Sequence, residues 1–401
     1  MQRSGKSPIN RVSALVAACG LGVAGVLIFC VLPVLVGAVK DHLNLNDAQV
    51  GILGAVYFAC YALMTLTSVF WIRRFNWRSI TITGLLLVVA GLVYSAVNSS
   101  YYGIVIGLAA AGFGAAMLYA LCCCMVSDMD DTDRKFAIKM IPEQLVPAIL
   151  LFTLPALVIV PWGLSGLLVA LAIIFGLVLL FTFWIPPCGR VITVAGGGQT
   201  NGSLLVFGAL AALLVYFGGF AGLWAFFEII ATENNLDKAT AGMLIGLSLI
   251  SSGITPVIAA IIGDRFGRNI PMLTATAIAL ATLFLLSGEL TILKFGIVTI
   301  MLPGACYVVF AYLMGLIAVA DVSGRFAVLM TSALAFGATL GQAVFGVIKT
   351  VGGNTAAYIF AAALIIVGQL IAVWVNNKLS SNKKVETTGA EARNTVASLE
   401  S

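Results

Sequence analysis

Charge is scarce in this chain: only 9% of its 401 residues are Asp, Glu, Lys or Arg, against about 25% in a typical soluble domain. Histidine is nearly absent as well. A single one, His42, excludes a His-rich metal site and any Ser/His/Asp arrangement. No G-x-x-x-x-G-K-[ST] loop occurs, which argues against ATP-driven transport. No arginine falls in the middle of an apolar run, so no tight clamp for a phosphate ester or dicarboxylate is evident. The eight cysteines (19, 30, 60, 122, 123, 124, 188 and 306) lie nearly all inside apolar segments. Consecutive residues point about 100° apart on a helix, so Cys122, Cys123 and Cys124 cannot chelate one metal together. No metal, cofactor or enzymatic activity is expected.

What the chain has is hydrophobicity. It is 61% hydrophobic, its mean hydropathy is +1.10, and its apolar runs exceed the roughly 18 residues that mark a membrane-spanning helix. The first run reaches residue 39, too long for the core of a cleaved signal peptide, and is segment 1. The others cover about 48–71, 79–97, 102–125, 136–160 and 164–185, then 204–231, 239–262, 270–287, 295–320, 326–348 and 355–375. The expected fold is an all-α integral membrane protein of twelve transmembrane helices. Its expected units are an N-terminal half (1–186), a glycine-rich cytoplasmic linker (187–203), a C-terminal half (204–375) and a disordered tail (376–401).

With the N-terminus inside, 17 of the 21 basic residues fall on the inner face, leaving Lys40, Lys238, Lys294 and Lys349 outside. The positive-inside rule therefore puts both termini in the cytoplasm, in a plasma membrane of the bacterial inner-membrane kind. The net charge of +5 reports topology and calls for no nucleic-acid partner. The partners expected are the lipid bilayer, a small-molecule substrate and protons, with a monomer as the working unit.

The halves repeat at three places. Asn44-Leu45-x-x-Ala48-x-x-Gly51-x-Leu53 matches Asn235-Leu236-x-x-Ala239-x-x-Gly242-x-Leu244 at an offset of 191. At the same offset, with Arg74-Phe75 lined up on Arg265-Phe266, the charged island Gly263-Asp264-Arg265-Phe266-Gly267-Arg268-Asn269 has a twin in Arg73-Arg74-Phe75-Asn76-Trp77-Arg78. Asp131-x-x-x-Lys135-Phe136-Ala137 matches Asp321-x-x-x-Arg325-Phe326-Ala327 at an offset of 190. Each offset spans six segments, an even number, so the halves are parallel repeats. The island between segments 8 and 9 resembles the cytoplasmic loop motif of the major facilitator superfamily, and the helix count, connector and repeat extend the resemblance over nearly the whole chain.

The resemblance implies a secondary transporter working by alternating access, its charged loop a cytoplasmic latch closed in the outward-facing state. Carried over by position, Asp264 would sit at the start of segment 5 near Arg134 and Lys135, where the helix dipole favours a carboxylate. The first-half copy departs from the pattern, with Arg73 at the aspartate position. Asp321, just before segment 11, could compensate it in a swapped Arg73–Asp321 pair. The other reading is that both loops simply hold helix ends and mark the inside.

Ionisable groups in hydrocarbon are costly, and few exist here. Glu143 lies seven residues past Phe136 in segment 5, about 10 Å into the membrane, flanked by Pro142 and Gln144. Loss of hydration at that depth disfavours a fixed carboxylate charge and suits a reversible proton carrier. The alternative is a structural Lys139–Glu143 pair at i,i+4 spacing. Segment 7 carries Tyr216, Phe220, Trp224 and Glu228 at four-residue spacing, interrupted by Gly218, Gly219 and Gly222 where a bend is expected. These residues either line an outward cavity or form an interfacial aromatic belt. Tyr57 and Tyr61 on segment 2, and Gln342 on segment 11, are further substrate contacts or packing residues.

Proton-coupled uptake of a metabolite such as an organic acid leads the functional expectations, with proton-driven drug efflux as the alternative. Drug antiporters of the superfamily carry a Gly-Pro-rich signature in helix 5, which Pro142-Glu143-Gln144-Leu145-Val146-Pro147 lacks. A non-transporting sensor or scaffold on the same fold would need a longer interaction tail.

Overall fold

The structure, a computed structural model, describes residues 8–188, 203–263, 265–320 and 329–399. Its helices are α1 (Val12–Leu43), α2 (Asp47–Trp71), α3 (Trp77–Val97), α4 (Tyr101–Ser127), α5 (Thr132–Leu154) and α6 (Val160–Val178) in the first half. The second half holds α7 (Ser203–Ala225), α8 (Phe227–Glu233), α9 (Lys238–Ile262), α10 (Asn269–Phe284), α11 (Ile292–Ala320) and α12 (Leu329–Leu399). Among the described residues, nine stretches are long and apolar enough to cross a membrane. Two of these, Arg134–Trp184 and Leu329–Ser381, are double length, and α10 is a shorter apolar helix. The double stretches break at Gly163 (φ 60°) and Gly353 (φ 73°). The arrangement accommodates the twelve passes expected. After its break α12 stays helical to Leu399, through the polar tail, whose Lys, Glu and Ala are good helix formers.

The internal repeat is written into the backbone. Asn44 and Asn235, the matched asparagines, both adopt left-handed φ, at 50° and 61°. Each is followed two residues on by an N-cap: Asn46 accepts from the Gln49 N–H at 2.8 Å, and Asp237 from the Thr240 N–H at 3.1 Å. The asparagine ends one pass and the cap starts the next, satisfying otherwise orphaned helix N–H groups. The matched glycines then do one job twice. Gly51 on α2 lies against the Gln342 carbonyl and Gly346 of α12, and Gly242 on α9 against the Leu151 carbonyl and Pro155 of α5. In both halves the helix after the repeated turn packs backbone to backbone on the other half.

Within the first half, α3 and α4 cross at Gly91 and Gly107, where a Cβ on Gly107 would overlap the Gly91 carbonyl and Ser95 Oγ. Close approach through small residues is how membrane helices gain packing without a hydrophobic driving force. Gly107→Ala should therefore destabilise by about 1–3 kcal/mol, read as a lower melting temperature in detergent. An unchanged melt would show that this crossing can relax. α1 is the innermost helix, with Leu21, Ile28, Val31 and Leu35 at most 1% exposed, whereas Leu86, Ile173 and Leu177 on α3 and α6 are more than half exposed, as lipid-facing residues are.

Candidate functional site

α5 carries the chemistry. Four-residue spacing stacks Lys139 and Glu143 on one helical face, and the Lys139 ammonium lies 2.8 Å from Glu143 Oε1 with the two side chains 2% and 6% exposed. Pro142 and Pro147 remove the N–H groups that would bond the carbonyls of Ile138 and Glu143, loosening the helix around the pair. The carboxylate sits between α1 and α4: a Cβ on Gly22 would overlap Glu143 Oε1 and lie 3.1 Å from Cys122 Sγ. Gly22 is what lets the carboxylate in. The ammonium is over the Tyr119 ring of α4, 4.7 Å from its centroid, and 5.6 Å from that of Phe136. Tyr61 of α2 and Tyr307 of α11 are within electrostatic reach of Glu143, as are Cys19 and Cys30 of α1.

Next to the pair, Gln144 turns to the other half. Its Cγ is 3.3 Å from where a Cβ on Gly253 of α9 would stand, and Tyr307 lies beside its amide. Tyr57 buries its hydroxyl without a hydrogen-bond partner and packs on Tyr61 at 6.1 Å between ring centroids. Five of the residues singled out by sequence, Lys139, Glu143, Gln144, Tyr57 and Tyr61, thus fall in one region where α1, α2, α4 and α5 meet α9 and α11. Sequence reasoning missed Tyr119 and Tyr307, which sit on otherwise apolar faces, and Gly22.

The segment 7 residues divide. Phe220 and Trp224 stack on each other at 5.9 Å. Trp224 Nε1 donates to the Phe29 carbonyl of α1 at 3.0 Å, and its ring lies 6.1 Å from that of Phe29, so these aromatics join the halves at the centre. Tyr216 instead shares a 3.1 Å hydrogen bond with Thr276 of α10, inside its own half. Glu228 lies on α8, 3% exposed, against Gly37 of α1, where a Cβ would overlap its carboxylate. The helix breaks at Phe226 (φ −100°, ψ 2°), and not at the glycines, which serve as contacts with α12: Gly218 meets the Gly337 carbonyl and Gly222 the Gly341 carbonyl. Gln342 is fully buried against Gly54 of α2 with neither amide atom hydrogen-bonded.

At the face where both repeats turn, four charges from four elements form a network that the sequence did not signal. Lys349 of α12 lies 2.8 Å from Asp47 Oδ2 and 2.7 Å from Glu233 Oε1. Lys40 of α1 lies 2.6 Å from Asp47 Oδ1 and 3.1 Å from Glu233 Oε1. Asn354 donates to Glu233 at 3.2 Å, and Thr350 Oγ1 accepts from the Ala48 N–H at 2.8 Å. Lys238 pairs with Asp41 beside it. Lys349–Asp47, Lys40–Glu233 and Lys238–Asp41 join one half to the other, while Lys40–Asp47 and Lys349–Glu233 each lie within a half.

The opposite, basic face holds the loop motifs. Gly263 ends α9 with φ 52°, Tyr312 of α11 donates to its carbonyl at 2.9 Å, and Gly267 has φ 66°. Arg265 is exposed and Arg268 precedes α10. In the first-half copy Arg73 makes a two-pronged bond to Asp128 at the end of α4, at 2.8 and 3.2 Å. Arg78 Nε donates to the Ile185 carbonyl at 2.8 Å, while Arg74 and Arg134 are exposed and Lys135 is half-buried. Asp264, Asp321 and Arg325 lie outside the described residues, and with them the acidic partner of each expected cytoplasmic contact.

Two like halves of membrane-spanning helices face each other across glycine seams, with a buried ion pair on α5 of the first half, an architecture that parallel-repeat secondary transporters share. The sequence model of the Major Facilitator Superfamily matches residues 17–192 and 208–399, and the chain belongs to that superfamily. Among solved structures it is similar to a bacterial homologue of the human lysosomal transporter Spinster, in an inward-facing and unoccupied conformation. The two share a TM-score of 0.71 and 14% identity over 94% of this chain and 99% of that one, a likeness of fold. No curated protein sequence matches the chain.

Proposed function

We propose that the protein takes up a small organic solute, a metabolite such as an organic acid, by alternating access coupled to protons, with Glu143 as the proton carrier. The observation that supports this is the Lys139–Glu143 pair, held in the bundle beside groups that reach the other half. Such groups are expensive in a membrane and mark ion or substrate pathways. In this reading the basic face is cytoplasmic with both termini, and the Lys40–Asp47–Glu233–Lys349 network closes the outer face. A shut outer face suits an inward-facing state, the one in which the Spinster homologue of like fold was solved. Gln342 and Glu228, buried where α2 and α1 meet the second half, are the next candidates to meet substrate or proton.

Reconstituted vesicles given an acidic exterior test it. A panel of organic acids should include one whose accumulation the proton gradient drives. Glu143→Gln should reduce that gradient-driven accumulation to background while leaving substrate exchange intact, since exchange needs no net proton movement. Persisting accumulation in Glu143→Gln would reject this carboxyl as the carrier. Extrusion of lipophilic cations would replace uptake by efflux.

A further inference from the structure

We infer that Lys139 is the anchor for a substrate carboxylate, released to it when Glu143 takes up the coupling proton; the inference rests on the proton-coupled reading above. The pair holds one positive and one negative charge in a nearly dry site, with side chains 2% and 6% exposed. Among the described residues, the titratable groups within electrostatic reach of it are Cys19 and Cys30 from α1, Tyr61 from α2, Tyr119, Cys122 and Cys123 from α4, and Tyr307 from α11. None is a carboxylate or a basic side chain. The other lysine buried among the described residues, Lys349, is in the four-charge network and has two carboxylates of its own.

Charge balance then dictates what the site can accept. A proton on Glu143 neutralises the carboxylate and leaves the Lys139 ammonium without a counter-ion, a state that a low-dielectric site strongly resists. A bound anion of single charge restores neutrality. A neutral solute does not, and a dianion brings a second charge with no partner. Proton and monoanion are therefore taken up together, one of each, with no net charge moved.

The surroundings narrow the class further. The ammonium already rests on the Tyr119 ring and near Phe136, with Tyr61 and Tyr307 within electrostatic reach of Glu143. A four-carbon stem lets the ammonium turn from Glu143 to a ligand without moving the helix. Aromatic walls with one cation suit a monocarboxylate with a compact apolar or aromatic body.

Purified full-length protein in detergent, with thermal stabilisation as the readout, tests this. The probes are propionate, lactate and benzoate, each against its amide, together with succinate. Wild type should be stabilised by at least one monocarboxylate and by neither its amide nor succinate. Its apparent affinity should weaken from pH 6 to pH 8, by up to about tenfold per pH unit for one linked proton. Glu143→Gln should bind the same monocarboxylate equally at both pH values. Lys139→Met and the neutral double variant Lys139→Met/Glu143→Gln should lose the response. The double variant guards against misfolding, because it leaves neither buried charge unpaired.

A double variant that still binds the monocarboxylate like wild type overturns the anchor, as does stabilisation of wild type by amides alone. Failure of the underlying reading looks different. If Glu143→Gln keeps the wild-type pH dependence while the double variant loses binding, Lys139 is the anchor and another group carries the proton.

Discussion

Lys349→Met is expected to open the face on which the repeated turns lie. Lys349 is 5% exposed and touches both carboxylates of the network, so its loss leaves Asp47 and Glu233 facing each other with Lys40 alone between them. Truncating one partner of a buried ion pair costs about 3–5 kcal/mol. Glu233 is 31% exposed, so water screens part of this, and about 2–4 kcal/mol is the reasonable range. If that cost falls on the closed state, the closed-to-open ratio drops by roughly 30- to 1,000-fold. Spin labels at Tyr102 and Leu293, exposed residues near that face on the two halves, should move from a short distance to a longer, broader distribution. The neutral double variant Lys349→Met/Asp47→Asn, which strands no carboxylate and keeps Lys40 paired with Glu233 across the halves, should bring the short distance back. An unchanged distribution in Lys349→Met would mean that the glycine contacts between α2 and α12 hold the face shut without the charges.

The same network has a defined response to acid. Burial pushes the Glu233 carboxyl up, but its bonds to Lys349 and Lys40 outweigh that, and its pKa lies below the ordinary 4.5. A lowered carboxylate pKa contributes stability in full above the ordinary value and loses it as pH falls through the lowered one. The difference in melting temperature between wild type and Glu233→Gln should therefore be constant from neutral pH to about pH 5 and close only below it. A difference that shrinks between pH 8 and pH 6 would contradict this. Because this group does not titrate in that window, any pH dependence of transport there must come from elsewhere.

How much of this was legible in the sequence follows from how local each feature is. Membrane passes are written in contiguous apolar runs, and a duplicated turn shows as a repeated string, so the fold and the Asn44/Asn235 equivalence could both be read along the chain. The Lys139–Glu143 pair could be read because its partners are one helical turn apart. The four-charge network could not. Lys40, Asp47, Glu233 and Lys349 are each ordinary at a helix end, and only the closure of one half on the other joins the Lys40–Asp47 and Lys349–Glu233 pairs into one network. The break in the seventh pass was misplaced for a related reason. Glycines permit a bend, but here Gly218 and Gly222 are used for contact with α12, and contact partners are a property of the assembled bundle. Asp128, which holds Arg73, stands among Asp130, Asp131 and Asp133, and the local string offered four acids without saying which one reaches across.

The second large effect concerns the stability of the α5 pair itself. Lys139→Met alone strands the Glu143 carboxylate and Glu143→Gln alone strands the Lys139 ammonium, and each should lower stability by about 3–5 kcal/mol near neutral pH. Removing both charges together replaces the pair by two neutral side chains of similar length. Such replacements of buried pairs are often neutral or stabilising, so the double variant should melt close to wild type. The cycle would then show a coupling about as large as the two single losses together, roughly 6–10 kcal/mol on these figures. If the double variant instead loses as much as the two singles combined, the side chains matter through their separate packing on Tyr119 and Gly22, and the charge balance on which proton and anion binding depend is not what the site is built around. Recovery in the double variant, joined to its loss of transport, would mean that the fold has no need of these charges. Their cost in the membrane would then be offset only by what they move.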